Sequence, residues 1–148
     1  MRGALEDAVS RARALLAEDN ATVAERLRSL LAPEFDVVET VQDGAALIDA
    51  ALSLAPDVIL SDIGMPGLNG LGAARIILAR QPAARIVFIT VHAEPAVVRS
   101  ALLAGACGYV LKGDACDELL PALRAALGGE QYVSTRARAA LERSGPPL

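Results

Sequence analysis

The stretch Asp57-Val-Ile-Leu-Ser-Asp62-Ile-Gly-Met-Pro66-Gly-Leu-Asn-Gly70 does most to limit what this chain can fold into. Val58, Ile59 and Leu60 form a short apolar run between Asp57 and a loop dense in glycine and proline. Such a run, bounded by turn signals, reads as a strand covered on both faces, as in a parallel sheet. Gly64, Pro66, Gly67 and Gly70 forbid an immediate helix after Asp62. A carboxylate is thereby placed at the carboxyl end of a buried strand, under a loop whose backbone can approach a ligand. Taken alone, Asp62 reads equally well as an Asx-turn residue bonded to its own loop. The rest of the chain decides between the two.

On either side of this stretch, strand and helix signals alternate. Ala12–Ala17 reads as a first strand, ending in Glu18-Asp19-Asn20. Thr22 and Glu25 have capping-box spacing, and Val23, Leu27, Leu30 and Leu31 share one face of a first helix that Pro33 helps to end. Phe35–Val41 is a second strand, and Asp43-Gly44 opens a second helix with Leu47, Ala50, Ala51 and Leu54 on one face. After the Asp62 strand, Leu71, Ala74, Ile77 and Leu78 mark a third helix, stopped by Pro82. Arg85–Thr90 is the fourth strand, and Pro95 suits the first position of a fourth helix that runs to Gly105. Cys107–Leu111 is the fifth strand, followed by Lys112. A fifth helix carries Leu120, Leu123 and Leu127, and Pro121 predicts an irregular or kinked first turn. Five alternations with right-handed crossovers specify an α/β fold: a doubly wound five-stranded parallel sheet with five helices. Residues 1–11 read as an N-terminal extension and 12–130 as the domain. Residues 131–148, with Tyr132-Val133 and a short helix after Ser134, read as a tail or linker.

In an open parallel sheet, ligands bind outside the carboxyl ends of the strands, where the strand order reverses. The polar residues at those ends are Glu18 and Asp19, Asp62, Thr90 and Lys112. Each has an ordinary reading as a cap, a strand-end hydroxyl or a solvated charge; together on one rim they point to a site. Clustered carboxylates repel one another unless a cation enters. An oxygen-only set with room for water suits Mg²⁺ better than Zn²⁺. A carboxylate can attack phosphorus to give an acyl phosphate, and an ammonium and a hydroxyl can hold the transferred oxygens. Of the 14 basic residues 13 are arginine, and the single lysine is Lys112, on that rim.

Composition excludes several classes. The net charge of -4 argues against a nucleic-acid-binding surface in these residues. No apolar run approaches a membrane span, and Met-Arg-Gly-Ala-Leu-Glu-Asp lacks a signal-peptide core, so a cytoplasmic location is expected, with no membrane partner. Cys107 and Cys116 lack metal-motif spacing and read as reduced packing residues. There is no Walker A loop and no Gly-x-Gly-x-x-Gly, and the lone His92 reads as a loop residue.

At the rim residues the chain resembles the receiver domain of two-component response regulators, over about residues 12–130. The matching elements are Leu-Leu-Ala-Glu18-Asp19-Asn, Asp62-Ile-Gly-Met65-Pro66 with Gly70, Ile-Thr90, and Gly108-Tyr109-Val-Leu-Lys112. The flavodoxin-like strand order 2-1-3-4-5 is what this resemblance implies; it is not read from periodicity. It further implies Asp62 as phosphoacceptor and Asp19 as a direct Mg²⁺ ligand. Glu18, where the family usually has aspartate, becomes the outer acidic residue, and the Gly64 carbonyl a backbone ligand. Thr90 and Lys112 become the phosphate-sensing pair, and Tyr109 the aromatic switch. Ala-Gly105-Ala-Cys-Gly108-Tyr109 and Leu-Gly-Gly-Glu-Gln-Tyr132-Val-Ser resemble the nitrate-responsive class of transcription regulators, which carry a helix-turn-helix domain after the receiver.

The implied function is a signalling receiver, not an enzyme beyond its own phosphotransfer and dephosphorylation. A sensor histidine kinase would phosphorylate Asp62 with Mg²⁺, and the face of helix four, strand five and helix five would switch. The switched face would drive a homodimer or an output, in this class transcription, through a DNA-binding domain outside these residues. The alternative is a receiver-like interaction module that is not phosphorylated. A dehalogenase-type aspartyl-phosphate phosphatase is disfavoured, because Asp62-Ile-Gly64 supplies no second acid for a leaving group.

Overall fold

The computed structural model describes residues 11–144. The first half runs β1 (Ala12–Ala17), α1 (Ala21–Leu31), β2 (Phe35–Val41), α2 (Gly44–Leu54) and β3 (Val58–Ser61). The second runs α3 (Gly70–Arg80), β4 (Ile86–Thr90), α4 (Pro95–Leu103), β5 (Gly108–Leu111), α5 (Ala115–Leu127), β6 (Tyr132–Val133) and α6 (Thr135–Ser144). A 3-10 turn, Lys112–Asp114, joins β5 to α5. The expected extension over residues 1–11 lies, apart from Arg11, outside the described residues.

The strands form one parallel sheet in the order β2-β1-β3-β4-β5-β6. Neighbouring side chains on each strand point to opposite faces, and each face has its own core. Leu15, Ile59, Phe88 and Tyr109 pack on one side with Leu47, Ala74, Ile77, Val98 and Ala137. Leu16, Val58, Leu60, Val87 and Val110 pack on the other with Leu27, Leu31, Leu119 and Leu123. Thus α2, α3, α4 and α6 cover one face, and α1 and α5 the other. This double cover explains why β3, β4 and β5 are buried at every position and read as continuous apolar runs.

The expectation of five strands and five helices is corrected to six of each among the described residues. The additional pair is β6 and α6. Tyr132-Val133 is too short to show a period of its own, and it becomes a strand only by pairing with Gly108 and Tyr109 of β5. Ser134, fully buried, then turns the chain into α6, whose Ala137 and Ala140 are buried against the sheet. The capping box at Thr22 is also corrected. Asn20 caps α1, its side chain accepting from the Val23 amide at 3.0 Å, whereas Thr22 is itself helical. Asp43 caps α2 as expected, accepting from Ala46 at 2.8 Å. Pro121 lies within the α5 helix Ala115–Leu127, and the irregular backbone falls in the preceding 3-10 turn. Among the described residues, no helix is long and apolar enough to cross a membrane.

Candidate acidic site at the carboxyl ends of the strands

The crossovers diverge at β1, which lies between β2 and β3, so the carboxyl ends of β1 and β3 border the crevice where strand order reverses. Asp62 sits at the end of β3 and is only 6 % exposed. Its backbone is pinned from three sides. The Asp62 amide donates to the Ala17 carbonyl at 3.0 Å, continuing the ladder with β1. The Ser61 hydroxyl donates to the Asp62 carbonyl at 2.8 Å. The start of α3 closes on the same carbonyl, since a Cβ at Gly70 would lie 2.0 Å from that oxygen. Glycine at 70 is thus a requirement of close approach, which its place in the loop alone did not reveal.

Glu18, Asp19 and Asp62 come together. Each offers a carboxylate oxygen within 4.8 Å of the other two. Asp19 is exposed, whereas Glu18 is 1 % exposed. Lys112 reaches in from the end of β5. Its Nζ donates to Asp62 Oδ2 at 3.0 Å and lies 2.8 Å from Glu18 Oε1. The other oxygen of Glu18 accepts from the Asn20 amide at 3.1 Å. Asp62 Oδ1 accepts from the Gly64 amide at 3.3 Å. Burial opposes the charge on Lys112, but its hydrogen bonds to Glu18 and Asp62, and their negative charge, outweigh it. The ammonium pKa is raised above the usual lysine value.

Thr90 ends β4 fully buried, and its hydroxyl accepts from the His92 amide at 3.3 Å. Tyr109 is also fully buried, and its hydroxyl donates to the His92 carbonyl at 2.7 Å. Burial first, then the charges of Glu94 and Asp62, push the phenol pKa far above its ordinary value, so the hydroxyl stays a donor. The ring already packs in the core beside Phe88 and Val98. The loop after Thr90 is therefore tied to both Thr90 and Tyr109 through one residue, His92. Sequence reasoning missed that role because it is played by backbone atoms, which any residue would supply. It also missed Ser61 and Ser134; a hydroxyl closing an apolar strand was the available signal for Ser61.

Three carboxylates balanced by one ammonium leave a net negative, oxygen-lined rim. That donor set fits a hard divalent cation held by few protein ligands and water. One carboxylate, Asp62, is both ordered by its loop and flanked by a cation, which suits it as a nucleophile toward an electrophilic phosphorus.

A sequence profile of the response regulator receiver domain matches residues 14–124. The chain is 33% identical over 121 residues to the transcriptional regulatory protein DegU of Brevibacillus brevis, covering 80% of this chain and 51% of that protein. It is 34% identical over 122 residues to the response regulator GacA of Pseudomonas aeruginosa, covering 81% of this chain and 57% of that protein. The chain thus spans little more than half the length of these curated relatives. Among solved structures, a LuxR-family two-component response regulator from an Aurantimonas species superposes with a TM-score of 0.87 at 32% identity, covering 91% of this chain and 98% of that one. The isolated receiver domain of RcsB from Salmonella enterica, solved with a beryllofluoride phosphomimetic, gives a TM-score of 0.82 at 26% identity, covering 89% of this chain and 99% of that one.

Proposed function

This chain belongs to the response regulator receiver domain family, and we propose that it is the phosphoacceptor module of a two-component system, phosphorylated on Asp62 by a sensor histidine kinase. The observation that carries the reading is the convergence of Glu18, Asp19 and Asp62 with Lys112 Nζ 3.0 Å from Asp62. In the transfer an Asp62 carboxylate oxygen attacks phosphorus. The bond from phosphorus to the donor breaks and its electron pair leaves with the donor. Mg²⁺, held by Asp19, Asp62 and the Gly64 carbonyl with Glu18 as the outer acid, would supply positive charge to the phosphoryl oxygens. Lys112, already aimed at Asp62, exchanges its carboxylate contact for a phosphoryl oxygen. Thr90 turns its hydroxyl toward the new acceptors, which phosphorylation supplies as three oxygens and about two negative charges.

The rearrangement of Thr90 reaches Tyr109 through His92, which both residues hold. The face of α4, β5 and α5 then changes, favouring a homodimer or an output domain. The relatives DegU, GacA and RcsB are named as regulators, and RcsB is solved bound to DNA. A DNA-binding output acting from the cytoplasm is therefore proposed for the full protein, with no DNA contact from these acidic residues. The role is one of signalling and not of metabolic catalysis, with autodephosphorylation as its own reaction.

The test is intact mass after exposure to acetyl phosphate with Mg²⁺. Wild type gains one phosphate; Asp62→Ala and magnesium-free wild type do not. An equal, stable gain in Asp62→Ala refutes the assignment. No gain in any sample favours the unphosphorylated interaction module.

A further inference from the structure

The segment after α5 is built onto the residues that bracket Lys112. Ser134, fully buried, donates from its amide to the Tyr109 carbonyl at 2.8 Å, and its hydroxyl accepts from the Leu111 amide at 3.2 Å. Two residues on, Arg136 pairs with Asp114 at 2.9 Å. The same guanidinium lies against Gly113, where a Cβ would meet one of its nitrogens at 2.4 Å. Residues 111, 113 and 114 are thus each held by the start of α6, and Lys112 lies between them with its side chain in the acidic site. Glu118 of α5 ties the junction from the other side, accepting from the Tyr132 hydroxyl at 2.9 Å and the Thr135 amide at 3.0 Å. The inner face of α6, with Ala137 and Leu141, joins the core that contains Tyr109, Val98 and Ala101 of α4.

We propose that β6 and α6 form a latch that reads the position of Lys112, and that phosphorylation of Asp62 loosens α6 from α4 and β5. Two networks meet at this one residue. In the resting state the Lys112 ammonium is held by Glu18 and Asp62, which sets the Lys112–Asp114 turn in the conformation that Ser134 and Arg136 fit. When the ammonium follows a phosphoryl oxygen, the turn that carries it shifts, and the Ser134 and Arg136 contacts on either side lose their alignment. The inner face of α6 is modest, Ala137 and Ala140 with a partly buried Leu141, so those polar anchors add to what burial alone supplies. The device rests on the reading of Asp62 as phosphoacceptor, and it makes α6, which lies on the α4–β5 flank, the element that moves first.

Hydrogen–deuterium exchange over residues 132–144, read beside intact mass, tests it. In phosphorylated wild type, amide exchange in α6 rises at least about fivefold, the lower end of typical coupling between sites, while α1 stays unchanged. Lys112→Met, without any phosphate, produces a rise in the same segment, because the turn has lost its anchor in the acidic site. Ser134→Ala and Arg136→Gln raise α6 exchange at rest and respond less to phosphate. A confirmed mass gain with unchanged α6 exchange overturns the latch, as does Lys112→Met exchanging like wild type. A missing mass gain refutes the phosphoacceptor reading instead, and the Lys112→Met arm still decides the latch.

Discussion

Replacing Lys112 with methionine removes the cation that bridges Glu18 and Asp62. Its Nζ stands 2.8 Å from Glu18 and 3.0 Å from Asp62. At an effective dielectric of about 20, each contact is worth about 5–6 kcal/mol of gross attraction. Returning the ammonium to water recovers several kcal/mol, so the gross figure shrinks sharply. What remains is the cost of leaving Glu18, 1 % exposed, and Asp62 without their cationic partner. Breaking a fully buried pair costs about 3–5 kcal/mol. The Lys112 side chain is 22% exposed, so the lower end, about 3 kcal/mol, is expected. Urea unfolding followed by circular dichroism at pH 8 measures it. With a slope of about 2 kcal/mol per molar, the midpoint falls by about 1.5 M. Magnesium should then stabilise the variant more than wild type, because the cation takes over the charge that lysine supplied. At a hundredfold excess over its dissociation constant it contributes about 2.7 kcal/mol. A midpoint shift under about 0.3 M without magnesium, or an equal magnesium effect in both proteins, would refute the electrostatic account of the rim.

Three further outcomes are expected. Tyr109 and Lys112 both have folded pKa values above their ordinary 10.0 and 10.5; the stability they contribute is complete below about pH 10 and is lost as pH rises through the folded values. Urea midpoints should therefore fall above about pH 10, less steeply in Tyr109→Phe; equal slopes would count against Tyr109 as a contributor. A Cβ at Gly64 would meet only His92 Nε2, at 3.8 Å, so Gly64→Arg should fold normally and slow phosphate loss by shielding Asp62 from water; an unchanged phosphate half-life would remove that shielding argument. Thr90→Ala should take up phosphate yet lose most of the accompanying NMR shifts in α4, and a full response would exclude the route through Thr90.

The chain by itself determined the alternation of strand and helix, because double cover of a parallel sheet leaves continuous apolar runs such as Val58–Leu60 and Ile86–Ile89 that no other architecture explains as simply. It also placed Glu18, Asp19, Asp62, Thr90 and Lys112 at strand ends, since each follows an apolar run directly or one residue on. Only the tertiary structure decided what those side chains do to one another. That Lys112 bridges Glu18 and Asp62 depends on strands far apart in sequence lying side by side in the order β1-β3-β4-β5. Tyr109 follows the same rule: its aromatic ring was visible in the sequence, but its acceptor is a backbone carbonyl that any residue at position 92 would present. The sixth strand and helix show the limit most directly. Tyr132-Val133 carries no period in so short a run, and α6 buries two alanines and part of Leu141. Both owe their place to pairing with β5 and to Ser134 and Arg136 meeting residues about twenty positions upstream, an energy that exists only once the sheet is assembled.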